Sequence, residues 1–221
     1  MSLFIIEGID GSGKSTQIEL LYNRLSQDGF KAKKLKFPMY EEESSGPVKM
    51  YLRGEFGQNP ESVNAFAASS FYAVDRYSSF KKYWEQDVLD GTVLVSDRYT
   101  FSNVLHQSVK LPPSERVEFE NWLFDLEYSK LGLPVPDKVF FLDVNPKTTS
   151  LNLSIRYAGD ESKKDIHEKD ILYLQKCYEV GIESCKRHGF TLVKCCSGNE
   201  MLPPDVINES IYADIISFIK K

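Results

Sequence analysis

The most constraining feature of the sequence is a glycine-rich segment near its beginning, Gly8-Ile9-Asp10-Gly11-Ser12-Gly13-Lys14-Ser15. It fits the pattern G-x-x-x-x-G-K-[ST] at every fixed position, and it lies between an apolar strand-like run and a segment with helical spacing. The glycines allow the backbone to curl so that its N–H groups point inward at phosphate oxygens, and the start of the following helix adds positive potential. This loop predicts an α/β fold and the binding of a nucleoside triphosphate.

Every residue of the loop is therefore a candidate triphosphate ligand. Lys14 is expected to reach the β- and γ-phosphates, and the Ser15 hydroxyl is expected to bind Mg²⁺. An ordinary glycine turn is the alternative, but the placement between strand and helix argues against it. The candidates for binding ATP are Gly8, Ile9, Asp10, Gly11, Ser12, Gly13, Lys14, Ser15 and Thr16.

The rest of the chain alternates between short apolar runs and longer segments with helical spacing. The runs that are typical of buried parallel strands are 3–7, 32–37, 93–96, 138–144 and 190–195. The segments with helical spacing are 15–28, 60–90, 113–130, 146–157, 165–188 and 204–221. This alternation predicts an open, parallel, five-stranded sheet of the P-loop NTPase type with helices on both faces. No repeat or linker divides the chain, so residues 1–221 are expected to form a single domain, with exposed mobile loops at 38–46 and 158–165.

Composition and charge exclude several classes of protein. The net charge of -5 argues against wrapping of duplex nucleic acid, which requires a basic surface. No stretch approaches the length of a membrane span, and the N-terminal apolar run is too short for a signal peptide. The four cysteines do not form a disulfide framework, because Cys177 and Cys185 lie about 12 Å apart on a helix and Cys195 and Cys196 point to opposite faces of a strand. We therefore expect a cytoplasmic protein without a membrane or nucleic-acid partner.

A second candidate site follows the third apolar run, at Asp97-Arg98-Tyr99. In an open parallel sheet, ligands bind at the edge where the strands end. A carboxylate at that edge can hold a metal ion such as Mg²⁺, and the adjacent arginine can clamp a phosphate; a surface ion pair is the alternative. Since the sequence has no guanine-reading N-K-x-D segment and the chain is small for a motor ATPase, a small kinase is the class that remains.

Five segments in chain order resemble thymidylate kinases. They are the loop from Gly8 to Thr16, Phe37-Pro38, Tyr72-Ala73-Val74-Asp75-Arg76, Asp97-Arg98-Tyr99-Thr100-Phe101-Ser102, and Phe140-Phe141-Leu142-Asp143-Val144 ahead of a proline. The resemblance implies a homodimer that transfers the γ-phosphate of ATP to dTMP, with Mg²⁺, and releases dTDP and ADP.

The resemblance also implies roles for residues at the acceptor end. Tyr72 matches an aromatic residue that stacks on thymine, although packing into the core is the alternative for this ring. Arg76 lies one helical turn later on the same face and is placed to read a base carbonyl. Arg98 matches the ligand of the acceptor phosphate, and Asp10 matches a loop carboxylate that faces the acceptor, with an Asx turn as its alternative. Further matches near the acceptor are Phe37, Ser102 and Gln107.

Phosphoryl transfer also needs positive charge around the transferred group. Some members of the family carry an arginine in the phosphate loop where this chain has Gly11, and others place arginines in a mobile lid. This chain is similar to the second kind, so Arg156, at the start of a lid at about 156–168, joins Lys14, Asp10 and Arg98 as a catalytic candidate. A solvated arginine at a helix end is the alternative for Arg156.

Further candidates lie in and around the lid. Lys163 and Lys164 are further sources of positive charge, and Glu168 is a candidate for closing over the sugar. Many relatives have an arginine where this chain has Tyr40, so Arg53 is a candidate second phosphate ligand, or else an exposed helix residue.

Three readings of function remain open beside dTMP phosphorylation. Another nucleoside monophosphate kinase would use the same chemistry on a different base. A deoxynucleoside kinase would need a carboxylate base over the free 5′-hydroxyl and no clamp for a 5′-phosphate. A non-catalytic nucleotide sensor would not need the charged residues Lys14, Asp97, Arg98 and Arg156.

Overall fold

The computed structural model describes residues 2–158, 160, 167–168, 171–198 and 200–220. The strands are β1 (Ser2–Glu7), β2 (Ala32–Lys36), β3 (Val93–Asp97), β4 (Lys138–Asp143), β5 (Thr191–Lys194), β6 (Cys196–Ser197) and β7 (Glu200–Met201). The helices are α1 (Lys14–Gln27), α2 (Gly46–Leu52), α3 (Ala65–Ser79), α4 (Glu85–Leu89), α5 (Phe101–Gln107), α6 (Arg116–Phe124), α7 (Pro146–Arg156), α8 (Ile171–His188) and α9 (Pro204–Ile219).

The main sheet has the order β2-β3-β1-β4-β5, and all its neighbouring strands are parallel. The expected five-stranded α/β fold is confirmed, and each expected strand agrees with an observed one to within one residue at either end. Because all five strands run in the same direction, the loops that follow β1, β2 and β3 emerge at the same edge of the sheet.

The sheet is covered on both faces, as its apolar strands require. Successive side chains of β1 alternate between two cores: Leu3 and Ile5 pack on one side, and Phe4 and Ile6 on the other. The first core is completed by residues of α5, α6 and α8, and the second by residues of α1 and α9. Burial on both faces holds β1 rigidly, and the glycine-rich loop begins where this strand ends.

The helical segments differ from the sequence-based expectation at several places. The expected helix over 60–90 is divided into a short 3₁₀ turn at Pro60–Ser62, α3, a π-helical turn at Phe80–Trp84, and α4. The expected helix over 113–130 likewise begins with a 3₁₀ turn and ends in a π-helical turn, Asp125–Lys130. Two short helices, α2 and α5, were not predicted, because seven residues are too few to establish a helical period.

The segment 38–46 was expected to be an exposed mobile loop; Tyr40, Glu41 and Glu43 are exposed, whereas other residues of the segment are hydrogen-bonded to α3. The carboxylate of Asp75 on α3 accepts hydrogen bonds from the Met39 backbone N–H (2.9 Å) and the Ser44 hydroxyl (2.9 Å). Glu42 forms an ion pair of 2.8 Å with Lys82. These contacts fasten the segment to α3 beside the end of β2.

Within the described ranges, no helix combines the length and apolar character needed to cross a membrane.

Candidate active site

A cavity of about 360 Å³ lies at the edge of the sheet where β1, β2 and β3 end. The structure brings thirteen of the predicted site residues into its wall. They are Asp10, Gly11, Gly13, Lys14, Ser15, Phe37, Tyr72, Arg76, Asp97, Arg98, Ser102, Gln107 and Arg156. The two groups predicted from separate motifs, the glycine-rich loop and the residues around Arg98, therefore face one shared space.

The backbone of the glycine-rich loop has the conformation that its glycines permit. Gly11 and Gly13 have φ values of +84° and +92°, which residues with a Cβ adopt at a cost. Gly13 is the N-cap of α1 and brings no side-chain hydrogen bond to the first turn of that helix. The N–H groups at the start of α1 therefore have no capping side chain, which suits a phosphate group.

Lys14 lies folded against its own loop. Its ammonium donates hydrogen bonds to the carbonyls of Gly8 (2.9 Å) and Ile9 (3.0 Å) and lies 4.0 Å from the Asp10 carboxylate. Burial and the nearby Arg98 guanidinium lower the pKa of Lys14 to about 8, although neighbouring carboxylates oppose the shift. The loop thus holds the positive charge of Lys14 at the cavity wall, where this residue is 7% exposed.

Ser15 and Asp97 form a pair of oxygen ligands at the rim of the cavity. The Ser15 hydroxyl donates to Asp97 Oδ2 over 2.8 Å, although the two residues are far apart in the chain. A hydroxyl and a carboxylate are hard oxygen donors of the kind that Mg²⁺ binds, and Mg²⁺ usually keeps several waters alongside one or two protein ligands. The Ser15 hydroxyl and the Asp97 carboxylate therefore fit the predicted magnesium site.

Arg98 occupies a strained position at the end of β3. Its φ of +71° is uncommon for a residue with a side chain. Its guanidinium forms an ion pair with Asp10 and hydrogen bonds of 3.3 Å to Ser102 and to His106 Nε2. Burial by itself would raise the pKa of Asp10, but the charges of Arg98 and Lys14 outweigh it and hold that pKa below its usual value. Asp10 is thus a carboxylate that links the loop to Arg98.

Glu7, the last residue of β1, supports this strained turn and was not predicted. Its carboxylate is fully buried and accepts hydrogen bonds from the Tyr99 backbone N–H (2.8 Å) and from the Ser102 hydroxyl (2.7 Å). Burial raises the pKa of Glu7, while Arg98 and these two donors oppose the increase. An acidic residue ending an otherwise apolar strand was the signal that sequence reasoning passed over.

Two histidines of the cavity wall were also missed. The rings of His106, on α5, and His167 are stacked, with their centroids 5.2 Å apart and an angle of 5° between their planes. The Tyr51 hydroxyl lies 2.9 Å from His167 Nε2. Burial holds the pKa of His106 well below its usual value and, together with Lys110, lowers the pKa of His167 to about 3. Both rings are therefore neutral at physiological pH.

Arg156, at the end of α7, also lines the cavity. Its side chain is half exposed, and its guanidinium lies 4.0 Å from Glu168. The Tyr157 hydroxyl contacts both carboxylate oxygens of Glu168, at 3.0 and 2.9 Å. Arg156, Tyr157, His167 and Glu168 all line the cavity. Residues 159 and 161–166 of the expected lid, which include Lys163 and Lys164, lie outside the described residues.

Five predicted residues do not line the cavity. Gly8, Ile9 and Ser12 form the inner side of the loop, and Thr16 is an exposed residue in the first turn of α1. Arg53, at the end of α2, is solvent-exposed and lies 3.8 Å from Glu55. The role of Arg53 as a phosphate ligand stays a prediction, because its side chain does not line the cavity. Tyr40, which stands where many relatives are expected to have an arginine, does line the cavity.

Comparison with known proteins adds an independent line of evidence. A family model described as thymidylate kinase matches residues 6–195. The chain is 28% identical over 208 residues to a probable thymidylate kinase of Pyrobaculum aerophilum, which covers 93% of this chain and 94% of that protein. It is 29% identical to a thymidylate kinase of Mycobacterium tuberculosis, over 82% of this chain and 84% of that one. A thymidylate kinase of Plasmodium falciparum is 27% identical over 83% and 82% of the two chains.

Proposed function

The chain belongs to the thymidylate kinase family, which makes it a phosphotransferase, and we propose that its cavity carries out transfer of the ATP γ-phosphate to dTMP, giving dTDP and ADP. The observation that carries the proposal is the meeting of two sets of cations in one cavity. Lys14 belongs to the glycine-rich loop, Arg98 forms an ion pair with Asp10 of the same loop, and both line the cavity together with the aromatic Tyr72. Two nucleotides bound at these ends would meet with their phosphates between Lys14 and Arg98.

The donor end binds the triphosphate of ATP. The N–H groups of the loop and of the first turn of α1 face the β- and γ-phosphates, and Lys14 leaves its carbonyl partners to contact the same oxygens. Ser15 and Asp97 would hold Mg²⁺, which supplies neutralising charge on the phosphates when it is bound. The pairing of the Ser15 hydroxyl with the Asp97 carboxylate supports this assignment.

The acceptor end binds dTMP. Arg98 contacts the 5′-phosphate, Tyr72 stacks on the base, and Arg76 and Gln107 lie within reach of the base edge. Asp10 holds the Arg98 guanidinium at the level of the loop, and Glu7 holds the turn from which Arg98 extends. A cation fixed from two sides in this way needs little reorganisation when charge develops on the transferred group.

Arg156 supplies the last cation from the lid. Its half-exposed side chain lines the cavity and lies 4.0 Å from Glu168, which supports a role in contacting the transferred phosphoryl group. No side chain is assigned as a general base, because a phosphate acceptor is already ionised at neutral pH. The neutral, buried His106 and His167 are assigned to the cavity wall.

The decisive experiment is a panel of acceptors with ATP and Mg²⁺, followed by ADP release. We expect turnover with dTMP, and little with dCMP, dGMP or thymidine. Preference for thymidine over dTMP would identify a deoxynucleoside kinase, and preference for another monophosphate would identify a different monophosphate kinase. Nucleotide binding without any turnover would favour a sensor and overturn the proposal.

The proposal extends to assembly and location. A homodimer is implied by the family resemblance, and α3 carries three exposed apolar side chains, Phe66, Val74 and Tyr77, at helical spacing. A cytoplasmic location agrees with four cysteines that are all free in the structure. Sedimentation of the purified chain tests the dimer directly.

A further inference from the structure

A buried ion pair stands behind the acceptor end of the cavity. Arg76 on α3 is 1% exposed and Glu127, in the π-helical turn after α6, is fully buried. The Arg76 side chain lines the cavity, whereas Glu127 does not. The carboxylate therefore approaches the guanidinium from the side away from the substrate space.

The geometry of this pair is bidentate and leaves part of the guanidinium unused. Arg76 Nε donates to Glu127 Oε2 over 2.6 Å, and Nη2 donates to Oε1 over 2.5 Å. The Thr100 hydroxyl also donates to Oε2, over 2.8 Å, and so fixes the carboxylate itself. Two parallel hydrogen bonds define the plane of the guanidinium as well as its position. The N–H groups of Nη1 take no part in the pair.

A second observation points to a polar ligand at the same place. Gln107 on α5 is fully buried and lines the cavity, yet neither atom of its amide has a hydrogen-bond partner among the residues that the structure describes. A buried amide without partners is costly, so it is expected to gain them from a bound molecule. The cavity wall thus offers guanidinium donors together with an amide that can donate and accept.

The edge of a thymine base matches these groups. It presents a carbonyl at C4, an N–H at N3 and a carbonyl at C2. A guanidinium carries only hydrogen-bond donors. The edge of Arg76 that is not bonded to Glu127 can therefore donate to the 4-carbonyl of thymine, but it repels the 4-amino group of cytosine, which is also a donor. We propose that Glu127 is a positioning residue for base selection: by holding Arg76 in one plane, it makes the cavity accept 4-keto pyrimidines and reject 4-amino pyrimidines. This inference rests on the proposed function, because it takes the acceptor to be a pyrimidine monophosphate.

Glu127→Gln tests this role, because it keeps the shape of the side chain and removes its charge. The remaining amide offers one acceptor in place of two, so the guanidinium is no longer fixed in its plane. We expect the ratio of kcat/KM for dTMP to that for dCMP to fall by about tenfold or more, through a higher KM for dTMP. The KM for ATP should stay within about twofold of the wild-type value.

Glu120→Gln is a matched control. Glu120 on α6 is also a buried carboxylate, and it accepts hydrogen bonds from Arg187 at 2.7 and 2.8 Å and from Ser184 at 2.8 Å, outside the cavity. We expect it to lower the melting temperature, as Glu127→Gln does, and to leave the ratio of dTMP to dCMP unchanged. A ratio that is equally unchanged in Glu127→Gln would show that Glu127 is only structural and would overturn the inference.

Glu127→Asp covers the case in which the amide variant does not fold. It keeps the charge but withdraws the carboxylate by one methylene, so we expect a discrimination loss of about threefold or more, and an unaltered ratio would again refute the role. A failure of the proposed function is separable from these outcomes. It would appear as absence of dTMP phosphorylation by the wild-type enzyme, before any variant is compared.

Discussion

Gly11 is the glycine of the phosphate loop at which an added Cβ would come nearest to the backbone of another segment, and its replacement by alanine is the sharpest test of how the loop is built. A Cβ at Gly11 would lie 2.5 Å from the Thr149 carbonyl oxygen of α7 and 3.2 Å from Leu153 Cγ. Since a carbonyl of a helix cannot move alone, either the loop or α7 must shift. The φ of +84° adds backbone strain to this steric conflict.

Gly29 separates these two costs, because its φ is also +84° and a Cβ there meets no atom within 4 Å. Gly29→Ala should therefore cost only the strain, about 1–2 kcal/mol. Gly11→Ala should cost the same strain plus about 1–3 kcal/mol for forced displacement of packed atoms. For a domain of this size, each kcal/mol lowers Tm by about 2–4 °C.

The two variants should also differ in activity. The Gly11 carbonyl accepts a hydrogen bond of 2.8 Å from Asn152 Nδ2 on α7, the helix that ends at Arg156. A shift of α7 moves that arginine, so Gly11→Ala should lower kcat by about tenfold or more while Gly29→Ala leaves it unchanged.

Thermal unfolding and steady-state turnover of dTMP measure both effects on the same preparations. Equal Tm losses in the two variants, or full activity of Gly11→Ala, would refute the reasoning. The same close approach means that an arginine at position 11 would not fit this chain without displacing α7.

The remaining predictions concern the charged and aromatic residues of the cavity. Lys14→Ala should lower kcat by about a hundredfold or more, because it removes a charge contact to the transferred group; near-normal turnover would contradict its assigned role. The pKa of Lys14 is lowered to about 8, so the free enzyme loses this positive charge as the pH rises through that value. The kcat/KM for ATP should fall over the same interval, and a profile that stays flat to about pH 9.5 would argue against it. Arg156→Ala should reduce kcat far more than the affinity for ATP measured by titration, whereas equal losses would indicate simple binding. Tyr72→Ala should raise the KM for dTMP and spare ATP binding; a general loss of stability instead would place the ring in the core.

Local patterns in the chain were sufficient to predict the strands of the main sheet and the phosphate loop. Together with the family resemblance, they also predicted most of the cavity wall. The apolar runs predicted all five strands because burial on both faces leaves little choice of residue. The loop was recognisable because its glycines, lysine and serine are adjacent in sequence and act through the backbone. Arg98 was identified by its place at the end of an apolar run, and Tyr72 by resemblance. The parallel pairing of β1 and β3 brings the turn that carries Arg98 to the glycine-rich loop.

Features that depend on distant parts of the chain required the folded structure. Glu7 contacts Tyr99, Arg76 contacts Glu127, and His106 stacks on His167, and nothing in the local sequence around either partner indicates the other. Asp75 fastens the segment 38–46 to α3, so an acidic run that resembles a solvated loop is held in place. Secondary structure follows from the spacing of apolar residues, whereas the partners of buried charges follow from how the helices pack on the sheet. Packing removes those charges from water, and a buried charge is stable only when a neighbouring group pairs with it or hydrogen-bonds to it.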